Sequence, residues 1–428
     1  MPPAIMIDEL RAARWFGGKS RAIRETRVLD RACWVNDATL RLVEVEYADG
    51  SPETYVLADR LEESAVTRAL LRQFHGTTVA TEDGGVLAFR PTQLFGTIPL
   101  ETAEPIGVMR GEQSNTSIRY GNALILKLFR RLQFGPNPDV EIGLFLTERS
   151  RFRGTPAVVG SLDYLSPGGE HASLALLQRF EPNRGDAWTT TLMRLRDVLD
   201  GTDMTDSVAV MARLGQTTAE LHLALASGSN DFAAEPIDVQ DIDQWRHAIH
   251  AEVRSAAHAL GRRHIDVDAD VLLRRADGIA TLAGALKARH HGDYHLGQVL
   301  ERDDDSFAII DFEGEPSKPL EQRREKRSPL RDVAGMLRSF DYARNAAVRA
   351  GDRASPMRIQ RANEWYQAAR SAFLDTYVRA IRAAHAALLP ADIHGPLAAL
   401  ELEKAAYEVL YELNNRPDWL PIPLAALI

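Results

Sequence analysis

Cysteine is almost missing from this chain: Cys33 is the single one in 428 residues. One thiol closes no internal disulfide and builds no thiolate metal cluster. Such usage fits a reducing compartment. Long apolar runs are missing too, and no stretch approaches the roughly 18–20 residues that a bilayer-spanning helix needs. Met1 to Glu9 has no basic region ahead of an apolar run, so it does not read as a secretion signal. The expectation is a cytoplasmic chain with no membrane partner. Basic charge is not in excess: 51 Lys and Arg face 60 Asp and Glu, a formal net charge of −9. That argues against a broad nucleic-acid surface. Internal repeats and low-complexity segments are absent. A complete P-loop is absent as well. Gly18-Lys19-Ser20 ends like one, but the glycine needed six positions before the lysine is Ala13. Ile7 to Arg14 also reads as a short helix where a strand should stand.

What is present is ordinary for a globular protein, with 45% hydrophobic and 26% charged residues. The length suits two or three domains. The first part reads as β-rich. Val43-Glu44-Val45-Glu46-Tyr47 alternates apolar and acidic side chains, the pattern of a half-buried strand. Thr54 to Leu57 is another strand. Residues 105–130 read as two strands, Ile106–Met109 and Leu124–Phe129, around the polar loop Gly111 to Ser117. A helix is expected over 139–152, and strands over Val158–Leu162 and Ser173–Phe180. Beyond Pro182 the chain turns Ala- and Leu-rich with helical spacing over 188–286 and again over 356–412. A short stretch rich in Gly, Asp and His, 289–341, interrupts these blocks.

That stretch carries the chemistry. In His291-Gly292-Asp293-Tyr294-His295-Leu296-Gly297-Gln298, Asp293 precedes Gln298 by five residues. Asp311 follows at the end of the apolar run Phe307 to Ile310. Val299-Leu300 and Phe307–Ile310 form a hairpin if Asp303-Asp304-Asp305 is its turn, and the hairpin draws Asp293, Gln298 and Asp311 together. Phosphoryl transfer needs such a set: a carboxylate beside the accepting hydroxyl, oxygen ligands for a metal, and a cation on the phosphates. Lys127 stands inside Leu124-Ile125-Leu126-Lys127-Leu128-Phe129, and a lysine in a buried run needs an anionic partner. Glu141 on the next helix is the expected partner, with Glu148 the alternative.

These motifs resemble the aminoglycoside-phosphotransferase (protein-kinase-like) superfamily, and more closely the actinobacterial maltokinases and glucosamine kinases. The matching stretches include His291 to Gln298, Asp311 to Pro316, Ser328 to Phe340, Asn415 to Leu420 and Arg14 to Lys19. The resemblance implies an α+β, bilobal protein-kinase-like fold. It implies a β-rich N-terminal cap (1–100), an intermediate nucleotide-binding subdomain (101–181) and an α-helical C-terminal lobe (182–428). It implies an ATP- and Mg2+-dependent sugar kinase, with Asp293 the catalytic base and Gln298, Asp311 and Glu313 at the metal. ATP is expected on Ser114, Asn115, Thr116, Ser117, Lys127, Glu141, Gln178 and Phe180, with Gln178 to Glu181 as the adenine hinge.

The acceptor end is read from Glu408, Tyr411, Glu412, Asn415 and Trp419, with Asp293 and His295 completing it. Glu408 and Glu412 share a helix face, and two carboxylates suit a cationic amino sugar. Maltokinases tend to carry Arg where Asn414 stands. The favoured substrate is therefore glucosamine, giving glucosamine 6-phosphate, with maltose giving maltose 1-phosphate the alternative. An aminoglycoside phosphotransferase and a non-catalytic binding module are weaker readings. A metal hydrolase using His290, His291, Asp293, His295 and Asp311 is a further one, since the His-x-Asp-x-His spacing of His291, Asp293 and His295 suits metal ligation. The basic run Lys318 to Arg331 reads as a solvated face. Monomer and homodimer both stay open.

Overall fold

The structure is a computed structural model that describes residues 3–109, 114–350 and 355–428. It divides into two compact units, Met1–Glu148 with Pro156–Pro182, and Arg149–Thr155 with Asn183–Ile428.

The first unit carries α1 (Pro3–Ala12), β1 (Ile23–Val35), β2 (Ala38–Tyr47), β3 (Pro52–Ala58), α2 (Ser64–Gln73), β4 (Thr78–Ala80) and β5 (Val86–Pro91). It continues with β6 (Ile106–Val108), β7 (Asn115–Tyr120), β8 (Leu124–Phe129), β9 (Arg131–Leu132), α3 (Pro138–Glu148), β10 (Val158–Leu165) and β11 (His171–Arg179). One sheet runs β1-β2-β3-β9, the other β4-β5-β10-β11-β8-β7-β6. β2 shows how sequence becomes sheet. Val43, Val45 and Tyr47 are buried against Leu10 and Phe16. Their outward neighbours Glu44 and Glu46 pair across the ladder with Arg27 at 2.9 Å and Arg24 at 2.7 Å. Earlier in the same strand the opposite face is the buried one, where Leu40 and Leu42 join Trp34 and Leu70.

The expected pair of strands over 105–130 is in fact three. β7 pairs with both β6 and β8, and the tight turn is at Gly121 (φ 56°). Of the loop expected over Gly111 to Ser117, Gly111, Glu112 and Gln113 lie outside the described residues. Asn115, Thr116 and Ser117 belong to β7. The strand's own pattern explains the difference: Thr116 and Ile118 are β-branched, and Ile118 and Tyr120 are buried core residues.

The second unit is mainly helical: α4 (Ala187–Leu199), α5 (Thr205–Leu225), β12 (Glu235–Pro236), α6 (Val239–Gly261), α7 (Ala269–Ala276), β13 (Leu286–Lys287), β14 (Val299–Glu301) and β15 (Phe307–Ile309). After these come α8 (Leu320–Arg323), α9 (Leu330–Arg349), α10 (Pro356–His385), α11 (His394–Asn415) and α12 (Pro421–Leu427). α9 is the axis of this unit: every side chain from Asp332 to Asp341 is buried. A stretch buried on every face belongs in a core, and the charges buried in it are paired, Asp332 with His222 and Arg338 with Asp341. Its Gly335 admits the loop that follows β13, because a Cβ there would stand 2.7 Å from the Tyr294 carbonyl oxygen. β14 and β15 form the expected hairpin, with Val299 opposite Ile309 and Asp305 (φ 62°) in its turn.

Candidate active site

The site is built on the loop from His290 to Gln298. A short loop with a defined shape needs its backbone groups satisfied, and Asp332 of α9 does this. Its Oδ2 accepts from the His291 N–H at 2.7 Å and its Oδ1 from the Gly292 N–H at 2.9 Å. His222 of α5 adds a third bond through Nε2, 3.1 Å from Asp332 Oδ2. The Tyr377 hydroxyl lies 2.9 Å from His222 Nδ1. With Nε2–H turned to the carboxylate, Nδ1 is free to accept the tyrosine proton. Burial pushes the Asp332 carboxyl up, but the bond from His222 and the nearby His290 outweigh it and hold it well below the usual carboxylate range.

Further bonds lock the loop's course. The Leu296 N–H donates to Ser339 Oγ at 3.1 Å, and the Tyr294 hydroxyl meets Thr218 Oγ1 at 2.9 Å. His291 is committed at both ring nitrogens. Nε2 donates to the Ile310 carbonyl at 2.9 Å and Nδ1 accepts the Asp293 N–H at 3.3 Å. His295 Nδ1 accepts the Gly297 N–H at 3.0 Å. Burial keeps His295 below the ordinary histidine range. The His-x-Asp-x-His hydrolase reading therefore loses its ligands: His291 has no lone pair left for a metal.

Gln298 opens the hairpin, and the Ile310 N–H donates to its carbonyl at 2.9 Å. This ladder bond brings Gln298 beside Asp311, whose Oδ2 accepts from Gln298 Nε2 at 3.1 Å. Asp311 holds φ at 67°, a left-handed conformation that costs a non-glycine residue energy and recurs at functional positions. Glu313 stays close in the chain, its carbonyl accepting from Arg323 Nη1 at 3.1 Å.

His290 is fully inside, its Nδ1 without a hydrogen-bond partner among the described residues. Burial drops its pKa to about 3. In the unfolded chain it would titrate near 6.5, so between those values the unfolded state binds the extra proton. Stability therefore rises with pH across that window and falls as pH drops through it. Chemical denaturation at pH 7.5 and pH 5 should show a loss of about 2 kcal/mol from this group. His290→Gln should remove that part of the slope, and an unaltered slope would refute the assignment.

The acceptor end differs from expectation in one respect. Glu408 and Glu412 do not stand as an open anionic pair. Arg338 of α9 puts Nε (3.0 Å) and Nη2 (2.7 Å) on Glu408 Oε2. Glu412 takes Arg416 Nε at 3.0 Å, Arg416 Nη2 at 2.7 Å and the Tyr342 hydroxyl at 3.1 Å. Arg416 stands one helix turn from Glu412, at a spacing legible in sequence, but Arg338 and Tyr342 lie 70 residues earlier, where helix-face spacing does not reach. Trp419 stacks on Tyr342 at 6.2 Å, Tyr411 is 44% exposed, and Asn415 Nδ2 donates to the Tyr411 carbonyl at 2.8 Å.

The basic run is solvated only in part: Lys318 is exposed, while its later members are half-buried and paired. Arg331 pairs with Glu403 and, at 3.4 Å, with Glu315. Lys326 pairs with Glu235, and Arg327 lies over Trp245. Each pairing crosses a sequence gap that composition cannot bridge.

In the first unit Lys127 Nζ donates to Asp139 Oδ2 at 2.9 Å, with both side chains largely buried. Asp139, in the first turn of α3 and two residues before Glu141, was not picked out from sequence. Glu148 ends the helix exposed. Thr116 and Ser117 are buried, and Thr116 Oγ1 accepts from Arg130 Nε at 2.8 Å. A strand closed on both faces turns those hydroxyls inward, so they do not present a phosphate cradle. Ser114 is exposed and Asn115 half-buried. Gln178 pairs with Ile125 in the sheet. The N–H groups of Arg179 and Phe180 donate to Ala157 and Ala123 carbonyls, both at 2.9 Å. The expected hinge thus spends these two donors within its own sheet.

Asp332 and Lys404 are the residues that sequence reading missed in the second unit. Asp332 had a signal, as an acid followed by the apolar Val333, Ala334, Met336 and Leu337 must be met by donors if that stretch is buried. Lys404 shares a helix face with Glu408 but follows Glu403 directly, so in sequence it reads as half of an ordinary surface charge pair.

No family model matches the chain. It is similar to the glucosamine kinase of Mycolicibacterium smegmatis (strain ATCC 700084 / mc(2)155), at 29% identity over 74% of this chain and 77% of that protein. It is similar also to the glucosamine kinase of Streptacidiphilus jiangxiensis, at 28% identity over 75% of this chain and 73% of the other. Among solved structures, it matches a glucosamine kinase in complex with glucosamine, ADP and inorganic phosphate. The TM-score is 0.72 at 23% identity, covering 97% of this chain and 96% of that one. The fold is therefore the kinase-like α+β fold expected from the sequence.

Proposed function

We propose that this chain is an ATP-dependent glucosamine kinase that transfers the γ-phosphoryl group to the sugar's primary hydroxyl, giving glucosamine 6-phosphate. The observation that carries the transfer chemistry is the His291–Gln298 loop clamped on Asp332, which sets Asp293 beside the Gln298–Asp311 hairpin. Similarity to two glucosamine kinases over about three quarters of the chain supports the acceptor.

Asp293 acts as the base. It takes the hydroxyl proton as the sugar oxygen attacks the γ-phosphorus, and the bond to the β-phosphate oxygen breaks to release ADP. The Asp311 and Glu313 carboxylates and the Gln298 amide oxygen form a hard oxygen set that suits Mg2+. The Gln298 amide nitrogen faces Asp311 at 3.1 Å, and a half-turn of the amide would put its oxygen there instead. The bound ion would neutralise charge on the phosphates. Lys127 holds phosphate on the nucleotide side, with Ser114, Asn115, Glu141, Gln178 and Phe180 around it. Residues 1–100 are read as a cap on the nucleotide-binding subdomain 101–181, with β5 of the one pairing with β10 of the other.

At the acceptor end both arginine bonds to Glu408 land on Oε2, so Oε1 keeps its lone pairs for the sugar's ammonium or a hydroxyl. Trp419 and Tyr411 supply aromatic faces, with Asn415 and His295 nearby. Glu412 is saturated and orders Arg416. The test is a panel of glucosamine, maltose, glucose and an aminoglycoside with ATP, with and without Mg2+. We expect glucosamine-dependent ADP release that stops on chelation and returns with Mg2+. Preference for maltose would replace the substrate, and ADP release without any acceptor dependence would end the reading.

A further inference from the structure

The acidic group beside the catalytic carboxylate is not alone there. Lys404 of α11 reaches over the loop, and its Nζ lies 3.3 Å from Asp293 Oδ1 and 3.3 Å from Glu315 Oε1. Glu315 Oε1 also lies 3.4 Å from Arg331 Nη2, and Arg331 pairs in turn with Glu403, the residue next to Lys404 on α11. The charges alternate along this chain: Asp293, Lys404, Glu315, Arg331, Glu403. It starts at the base and ends on the helix that carries Glu408, Tyr411 and Asn415 five to twelve residues further on.

The cavity bordering the chain is small. It is lined by Gly292, Glu252, Glu315, Lys318, Lys404 and Tyr407, among others, and holds about 40 Å³. That is room for about three water molecules, not for a hexosamine ring. The partners of Lys404 in the structure are the two carboxylates. Burial alone would depress the Lys404 ammonium, but Asp293 and Glu315 more than offset it, so it stays charged.

We propose that Lys404 is the positioning residue of the catalytic base: it fixes the rotamer of Asp293 and ties the loop to α11, so that the base and the acceptor end keep one geometry. A carboxylate that must take a proton in the transition state gains from being held in place beforehand, since misplacement by about 1 Å costs about 10²-fold in rate. A flexible ammonium bridging two carboxylates does this without occupying the second oxygen of Asp293, which stays available to the hydroxyl proton. The inference rests on the kinase reading above.

The experiment compares wild type, Lys404→Met, Lys404→Arg, Asp293→Asn and the Asp293→Asn/Lys404→Met pair in glucosamine phosphorylation. Lys404→Met should lower kcat about 10²-fold while KM for ATP stays put. Lys404→Arg keeps the charge and two-pronged donation, and should recover to within about tenfold of wild type. Adding Lys404→Met to Asp293→Asn should cost nothing more, because a residue that acts through the base has no effect once the base is gone. Equal kcat in wild type and Lys404→Met, or a full further loss in the pair, overturns the proposal. If Lys404→Met does not fold, an Lys404→Arg variant that shows no rate difference from Lys404→Gln does the same. No transfer by wild type would instead end the kinase reading and this inference with it.

Discussion

Asp293→Asn should abolish glucosamine phosphorylation, lowering kcat by about 10³-fold, within the range that removal of a general base costs. The loop around it should survive. Its shape depends on the bonds from His291 and Gly292 to Asp332, from His291 to Ile310 and from Leu296 to Ser339. None of these uses the Asp293 carboxylate. Asparagine also keeps an oxygen that can accept from Lys404, so the buried lysine is not stranded between an amide and Glu315. ATP affinity should therefore change by less than about threefold, as expected when only a transition-state contact is removed. Isothermal titration with ATP and Mg2+, beside a coupled ADP assay, separates the two quantities. Retention of wild-type kcat would remove Asp293 from the mechanism. Loss of ATP binding along with kcat would mean that it serves the nucleotide rather than the proton.

Asp332→Ala carries the second large effect, and it acts on both stability and rate. The substitution leaves three donors without their acceptor: the buried His291 N–H and His222 Nε2, and the half-buried Gly292 N–H. Each buried unsatisfied group costs about 1–3 kcal/mol, and groups that share a partner do not add fully. A total near 4 kcal/mol follows, roughly a 10 °C fall in the melting temperature of a unit this size. The freed loop should also lose its base geometry, so kcat falls by about 10²-fold in protein that is still folded at low temperature. Asp332→Asn should fall between. Its single oxygen satisfies one N–H, while its amide nitrogen confronts another donor. Differential scanning calorimetry with activity measured well below the transition distinguishes the outcomes. A variant that melts with wild type and turns over normally would show that the clamp does not hold the loop.

How far the amino-acid order reached can be judged residue by residue. Local signals travelled well. The alternation of Val43, Val45 and Tyr47 placed β2, because burying every second side chain is the geometry of a pleated strand. The three aspartates at 303–305 placed the hairpin turn, since short polar side chains tolerate the left-handed conformation that Asp305 adopts. With that turn in place, the pairing of Gln298 with Ile310 and the approach of Gln298 to Asp311 were already legible. Similarity in the same motifs also carried the kinase-like fold.

What sequence by itself determined was thus the loop, the hairpin and the kinds of group they bring together. Their period and spacing are local properties of the chain. Tertiary structure alone decided which opposite charge each of those groups meets. Asp332 meets the loop's N–H groups across 40 and 41 residues, Glu408 meets Arg338 across 70, and Asp293 meets Lys404 across 111. In sequence each of these is one charge among many. Burial removes water as the alternative partner, and only the packing of α5, α9 and α11 around the loop states which charge takes its place.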